Sequence, residues 1–512
     1  MRDLLNRTWQ SGLLVLVLVF MQACTTNPVT GKRELSLYSR SQQIQIGAQQ
    51  YEPGQQSQGG VYYLDPALND YVSRVGQKLA AVSDVPDLPY EFVVLNNSVP
   101  NAWALPGGKI AINRGLLVEL EDESELAAVL GHEIVHAAAG HGASQLTRSD
   151  ILGAGGKLVE QAAATSKYGA LINQGTEYGA KAWMASYGRN DELESDLHGM
   201  RYMSVAGYDP QGAVGLQRKF VELSGGKQQD FISGLFASHP PSQSRVNANI
   251  KTVEKLPQGG VTNREAYQRA IAQIKKDVLA YEAEALAIAA LNNNNPREAI
   301  AQIEVATSIQ PREGKFWELK GHALRMLNDN NSALSAYSTA IDKNPAYYQH
   351  WLARGALYKD MGRANNAERD LQRSYSLLPS SATAYGLGEL VESRGDTSAA
   401  LGYYQEASSA GGNLGKAAQS KLIRYDLPKN PNKYIRSGIF ASPKGQLFAA
   451  VENRSGYTAG NIQVRVTNRH SGAAKTIRIR GTVVNGKQAT TALGISGDAS
   501  HYDIVVLTAT AQ

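Results

Sequence analysis

The chain has 512 residues, 43% of them hydrophobic and 19% charged, with a formal net charge of +5. That length exceeds one ordinary core and predicts two to four domains. The charge is modest and gathered in no long basic run, so it offers no electrostatic case for a nucleic-acid partner, and a single cysteine, Cys24, excludes an intrachain disulfide.

The first element is an apolar run, Leu13 to Met21, preceded by Arg2 and Arg7 and followed by Gln22-Ala23-Cys24. A basic start, a short apolar stretch and a small residue before the cut predict a secretory signal peptide, 1–24, too short to span a bilayer as a helix. A lone cysteine at its end resembles a bacterial lipobox, with Cys24 the lipidated residue, although Gln22 is an unusual neighbour; a plain secreted protein is the alternative. Thr25 stands where an inner-membrane retention aspartate would be. By that analogy the chain is an outer-membrane lipoprotein facing the periplasm, or else soluble there. Residues 25–60, polar and rich in Gln and Gly, read as a tether running into a first helix.

Residues 61–255 mix helical periods with one strand-like stretch. Ala102-Trp-Ala-Leu predicts a short strand, and Pro106-Gly107-Gly108 a turn into Lys109-Ile-Ala-Ile112. If this strand edge is exposed beside a cation, Asn101, Ala102 and Trp103 would pair with an extended substrate backbone. An interior hairpin is the other reading.

A helix then follows. Asp122 with Glu125 three residues on suggests a capping box. Leu126, Val129, Leu130, Ile134 and Val135 supply its apolar positions, and Gly140 its stop. His132 and His136 fall one turn apart on one face, so both imidazoles can reach one cation, with Glu133 near enough to take a proton from a water acidified by zinc. Such a pair needs a third ligand, and His141, His198, His239 and a carboxylate are the candidates. Glu192, on a helix predicted from about 189 to Gly207, is the strongest; Asp196 lies one turn on along the same face, so that one of the two could bind the metal while the other orients a ligand histidine. His141 reads as a packing or capping residue and His198 as pointing elsewhere. His239, in Ser238-His239-Pro240-Pro241, has three open readings: an oxyanion donor, a fourth zinc ligand that blocks water, or a structural residue. Arg245 would stabilise an oxyanion or anchor the loop through a carboxylate. The Gly-rich, charge-poor stretch 151–187 reads as a helical lid or a lipid-facing surface, not a membrane span.

From 265 to 425 the chain is helical and periodic. Pro311, Pro345 and Pro379 are 34 residues apart, Trp317/Trp351 and Gly321/Gly355 share that step, and Ala299, Ala333 and Ala367 keep it, with Ala400 33 further on. This resembles the tetratricopeptide repeat, a stack of helix pairs that binds peptides or proteins. The first repeat is degenerate, with Ala287 at the glycine position. From 432 to 512, period-two alternation in Ile462–Val466, Ile477–Ile479 and Tyr502–Val506, with a tight hairpin expected at Asn485-Gly486, predicts a β-sandwich-like module.

These motifs together resemble the zinc metallopeptidases that include the CAAX prenyl proteases and the HtpX-type membrane proteases, nearest to a periplasmic lipoprotein branch carrying tetratricopeptide repeats. The resemblance covers about 25–425: Asn27-Pro-Val-Thr-Gly31, Asn101 to Gly108, His132 to His136 with Gly140-His141, Glu192 with Asp196, and His239-Pro240 with Arg245. Ser195 and Leu197 depart from the common pattern, and the β tail lies outside it. The resemblance implies a multidomain chain: a mainly α, gluzincin-type zincin domain with a small edge-strand sheet, then an α-solenoid of repeat helix pairs. It implies His132, His136 and Glu192 as ligands of one Zn2+ per chain, Glu133 as general base, and Asp196 as the residue behind a ligand.

The expected function is a lipid-anchored zinc endopeptidase that cleaves unfolded or misassembled envelope proteins, with the repeats binding clients or an outer-membrane assembly machine. An assembly chaperone or scaffold with a silent or autoinhibited protease site is the alternative from another class. A zinc hydrolase acting on a non-protein envelope polymer is a third, against which the strand edge speaks.

Overall fold

A computed structural model describes residues 24–148, 187–225 and 234–512. The expected signal sequence before Cys24 and nearly all of the Gly-rich stretch lie outside the described residues. Among described residues, no helix is long and apolar enough to cross a membrane. The chain divides into two compact units, Met1–Pro379 and Ser380–Gln512.

In the stretch expected as a tether running into a first helix, a hairpin precedes the helix. Strands β1 (Cys24–Thr26) and β2 (Arg33–Leu35) form an antiparallel hairpin. Helix α1 (Arg40–Ser57) follows, capped by Ser39 and Gln42 in a reciprocal box. Its Tyr51 is buried and donates to the Ile110 carbonyl at 2.9 Å, so aromatic burial docks this Gln-rich helix on the sheet. Helix α2 (Pro66–Ala80) starts at the Asp65 cap with Pro66 in its first turn, and buries Leu68, Val72, Val75 and Leu79.

The sheet has three strands in the order β3 (Glu91–Leu95), β5 (Lys109–Asn113), β4 (Ala102–Leu105). Strand β3 runs parallel to β5 and β4 antiparallel to it. Positive φ at Gly107 and Gly108, +80° and +87°, makes the β4–β5 turn, as the Pro-Gly-Gly run predicts. Strand β4 is one edge of this sheet, and all four of its residues are buried.

Helix α3 (Glu123–Ala139) is buried along its whole length. Asp122 caps it by accepting from Ser124 and Glu125 N–H, and Gly140 ends it in the left-handed region at φ 72°. Glu125 does not complete the expected reciprocal box: its carboxylate accepts from the Glu121 N–H at 2.7 Å. Helix α4 (Arg189–Val205) crosses α3 where two glycines meet. A Cβ on Gly199 would lie 3.0 Å from the Gly131 carbonyl carbon, so only small residues let the backbones approach this closely. Helices α5 (Gln211–Gly225) and α6 (Gln243–Val253) close the same core.

The repeats are helix pairs: α7 (Val278–Asn292) with α8 (Pro296–Ile309), α9 (Gly314–Met326) with α10 (Asn330–Lys343), and α11 (Tyr348–Asp360) with α12 (Ala364–Leu377). Each repeat glycine faces a large side chain of its paired helix: a Cβ on Gly321 would lie 2.3 Å from the Tyr337 ring, and one on Gly355 3.0 Å from Leu371. Trp317 and Trp351 donate their indole N–H to the Pro311 and Pro345 carbonyls, so the 34-residue step repeats a hydrogen bond as well as a contact. Within this unit, Glu313 at the start of α9 is fully buried and joins the repeats to the sheet domain. It accepts from Asn96 Nδ2 at 2.7 Å, and from the Tyr281 hydroxyl at 2.9 Å.

In the second unit, α13 (Ser381–Ser393) pairs with α14 (Thr397–Ala407), Gly388 facing Tyr404, and α15 (Gly412–Asp426) follows. Two antiparallel three-stranded sheets complete it: β10 (Gln488–Ser496), β7 (Gln446–Asn453), β6 (Ile435–Ala441), and β11 (Tyr502–Ala511), β8 (Ala459–Asn468), β9 (Ala474–Arg478). Their buried residues, among them Leu447, Val451, Val464 and Val506, form one cluster. Asn485-Gly486 makes a turn, with Lys487 N–H donating to the Val484 carbonyl at 3.0 Å, but not the expected hairpin. Only Gly486 of the pair has a positive φ, whereas the hairpin-forming turn needs both. The chain therefore leaves β9 in one sheet and enters β10 in the other.

Candidate metal centre

Four buried side chains converge on one point: His132 and His136 from α3, Glu192 from α4, and His239 just after the short turn Leu235–Ser238, with one donor atom of each within 4.8 Å of every other. The i, i+4 step on α3 sets the two imidazole Nε2 atoms 2.9 Å apart. The Glu192 carboxylate lies 3.5 Å from His132 Nε2 and 3.4 Å from His136 Nε2, and His239 Nδ1 lies 3.0 Å from Glu192 Oε1.

Around this point the carboxylates are held by one guanidinium. Arg245, on α6, donates through Nε and Nη2 to both oxygens of Asp196 at 2.8 and 2.7 Å, and through Nη1 reaches Glu192 at 2.6 Å. Such a fork is the strong form of a charge-assisted bond. Asp196 in turn accepts from His132 Nδ1 at 2.9 Å. Arg245 thus anchors carboxylates, one of the two roles open from the sequence, and its loop is tied by a further bond to the Pro240 carbonyl.

The electrostatics favour a cation. Glu133, Glu192 and Asp196 are buried carboxylates facing one arginine, an excess of negative charge that a cation among them would offset. His132 shows the same pull: burial pushes its pKa down, yet the Glu192 and Asp196 carboxylates outweigh this and raise it to about 9. Burial raises the Glu133 carboxyl. Assigned from the hydrogen bonds, the His132 proton sits on Nδ1 towards Asp196, which turns its Nε2 lone pair into the cluster. Buried acceptors facing one another fit a cation. Glu133 Oε2 is buried with no hydrogen-bond partner among the described residues, and its Oε1 lies 3.4 Å from His239 Nε2.

His141 is outside the converging group but bonds to it, Nδ1 to His136 Nδ1 at 2.9 Å. His198 is half-buried and also outside the group. Sequence reasoning missed Tyr187, whose ring stacks on His136 with centroids 3.7 Å apart, and Glu194, which meets His141 at 3.3 Å. Tyr187 closes a glycine-rich run that carries no periodic signal, whereas Glu194, two residues past Glu192, was in plain view. The Tyr187 hydroxyl is 3.5 Å from the Ala104 carbonyl, so the unpaired side of β4 faces the metal cluster. Asn101, Ala102 and Trp103 are buried there, Trp103 edge-on to Tyr51. A cavity that His132, Glu133, His239 and Arg245 line has an apolar part formed by Val129, Met200, Leu216 and Phe220.

Residues 66–253 match the model of peptidase family M48. Over 194 residues the chain is 34% identical to the mitochondrial metalloendopeptidase OMA1 of Schizosaccharomyces pombe, covering 37% of this chain and 54% of that one. It is 28% identical over 233 residues to the beta-barrel assembly-enhancing protease of Escherichia coli K12, covering 44% and 47%. It is also 29% identical over 181 residues to the metalloprotease YcaL of the same organism, covering 34% and 68%. The chain spans about half the length of the first two relatives. Among solved structures, a thermophilic TPR protein of Thermus thermophilus aligns with 40% of this chain and 97% of its own, at 20% identity and a TM-score of 0.27.

Proposed function

We propose that the chain, whose residues 66–253 match the model of peptidase family M48, is a zinc-dependent endopeptidase, one ion per chain, that cleaves unfolded or misassembled proteins of the cell envelope. One observation carries this reading: the donors of His132, His136 and Glu192 converge beside a carboxylate, Glu133, that has a buried oxygen with no partner among the described residues.

His132 Nε2, His136 Nε2 and the Glu192 carboxylate would hold the ion. Zinc supplies, when bound there, an electrophilic centre that acidifies water and polarises a peptide carbonyl. Glu133 takes the proton of the attacking water and returns it to the leaving amine. Its burial favours this, because a raised pKa brings a carboxylate nearer the working pH of a general base. Asp196 keeps His132 in the tautomer that presents Nε2, and Arg245 holds Asp196 and Glu192 in register. The free side of β4, including Ala102 and Trp103, would receive an extended backbone, which demands an unfolded substrate and movement of what covers that edge. The apolar cavity beside Glu133 suits an aliphatic or aromatic side chain next to the scissile bond.

The repeat helix pairs would bind clients or an outer-membrane assembly machine. The similarity to a beta-barrel assembly-enhancing protease favours β-barrel proteins under assembly as clients. Cys24 would carry the lipid, placing the chain on the periplasmic face of the outer membrane. That proposal rests on the residues around Cys24.

The scaffold reading has one observation of its own: His239 Nδ1 completes a four-donor set, and a fully ligated zinc is closed to water. Zinc-loaded full chain, incubated with casein, tests both readings. The endopeptidase reading expects cleavage that a chelator abolishes and one equivalent of zinc restores. Casein binding without cleavage, with zinc bound, would favour the scaffold.

A further inference from the structure

The two histidines of the helix pair are supported differently. Behind His132 stands a carboxylate, Asp196, in direct contact. Behind His136 stands another imidazole, and the line of hydrogen bonds continues from it to the N-terminal hairpin. We infer that His141, Glu194 and Asn27 form a hydrogen-bonded relay that fixes the ring of His136, and with it one donor to the metal, from the hairpin that follows Cys24. This inference rests on the metallopeptidase reading of the site.

The proton positions along the line are forced by its ends. His136 presents Nε2 to the cluster, so its proton sits on Nδ1, and the partner there is His141 Nδ1 at 2.9 Å. That atom must accept, which places the His141 proton on Nε2, facing Glu194 Oε1 at 3.3 Å. The same carboxylate oxygen accepts from Asn27 Nδ2 at 3.0 Å. Asn27 is itself immobilised: Nδ2 also donates to Glu34 on β2 at 2.9 Å, and Oδ1 accepts from the Val29 and Thr30 N–H groups at 2.9 and 3.3 Å. Its main chain closes the β1–β2 turn in both directions with Gly31 and Lys32, at 2.8 Å each. Every donor in the line meets an acceptor, and no link requires an unusual tautomer.

The local fold explains how His141 reaches its partner. Gly140 leaves α3 in the left-handed region, so the chain turns and His141 points back at the ring one residue more than a helical turn behind it. Asn27 and His141 are buried, at 3% and 4% exposure, and Glu194 is half-buried, so water competes poorly for these bonds. Tyr187 stacks on the face of His136 while His141 holds its edge, and the two contacts together fix the ring in both directions. Hydrogen-bond partners behind a metal-binding histidine typically contribute about 10–100-fold in affinity. The relay therefore makes His141 a positioning residue and ties the Asn-Pro-Val-Thr-Gly turn to the metal.

The test measures the zinc dissociation constant of the full chain by chelator competition, the absorption spectrum of its cobalt form, and the unfolding temperature of the metal-free chain. The relay predicts that His141→Ala weakens zinc binding about 10–100-fold and alters the cobalt spectrum. His141→Asn, which can accept from one side and donate from the other, recovers most of the loss. Asn27→Ala weakens zinc less, and adds nothing in the His141→Ala background. If His141→Ala does not fold, Glu194→Gln and Asn27→Ala carry the same prediction. A lowered unfolding temperature with an unchanged zinc constant and cobalt spectrum would overturn the relay and leave His141 a packing residue. A wild-type chain that binds no zinc would sink the metallopeptidase reading along with it, whereas tight wild-type binding with indifferent variants sinks the relay alone.

Discussion

His239 touches both the ligand set and the proton acceptor of the proposed site. Its Nδ1 is 3.0 Å from Glu192 and 3.3 Å from His132 Nε2, and its Nε2 faces Glu133. A ring in this place completes the ligand set and covers the proton acceptor at once. His239→Ala is therefore expected to raise casein cleavage while zinc stays bound by His132, His136 and Glu192; unchanged or lower cleavage with zinc retained would show that His239 does not block the site. Much of this cluster was legible in the sequence, because the i, i+4 steps of His132/His136 and Glu192/Asp196 fix pairs on helix faces before any tertiary contact is known. His239 could be named but not given one role, since a loop residue carries no periodicity, and Arg245 could be named but not paired, since its carboxylate partners lie on another helix. Tyr187 was invisible for the same reason.

At the scale of elements, the helix crossing at Gly131 and Gly199 sets the distance between two ligands on α3 and a third on α4. Gly199→Val puts carbon atoms where the facing backbone already sits 3.0 Å from a Cβ, so the helices must separate. Overpacking of this kind costs about 1–3 kcal/mol. The expected result, read by urea unfolding and zinc titration, is lower stability together with weaker zinc binding; weaker stability alone would show that the crossing does not set the site. In the second unit, Glu392 accepts from Lys421, Tyr404 and Tyr425. Burial pushes its carboxyl up, but these donors prevail and hold it at about 2. The folded pKa is below that of the unfolded chain, roughly 4.3. This contribution is therefore complete above the unfolded value and disappears as pH falls through about 2. Glu392→Gln should lower stability at pH 7 and flatten the acid-side decline of that unit, seen in unfolding temperatures between about pH 5 and 2. The repeat step announced these helices because Gly321 and Gly355 must recur wherever Tyr337 and Leu371 press on them. The Asn485-Gly486 turn misled because dipeptide chemistry predicts a turn but not which sheet receives the next strand.

Across the whole molecule, the sheet domain and the first repeat pairs form one unit, joined by polar groups the sequence could not pair. Glu313, Asn96 and Tyr281 are up to 217 residues apart in the chain, and nothing in their spacing links them. Glu313→Ala leaves the buried Asn96 amide without this acceptor and the Tyr281 hydroxyl with the Asn96 Oδ1 at 3.4 Å in its place, and a loss of roughly 2–4 kcal/mol is expected in urea unfolding. An unaltered midpoint would show that water replaces the carboxylate. In the proposed hydrolytic centre of His132, His136 and Glu192, Glu133 moves the proton. The direct measurement compares casein cleavage by the zinc-loaded full chain with that of Glu133→Gln, with metal content verified in both. The account predicts one zinc in each protein and a rate reduced at least ~10²-fold in the variant. Cleavage that persists in Glu133→Gln at the wild-type rate would contradict it.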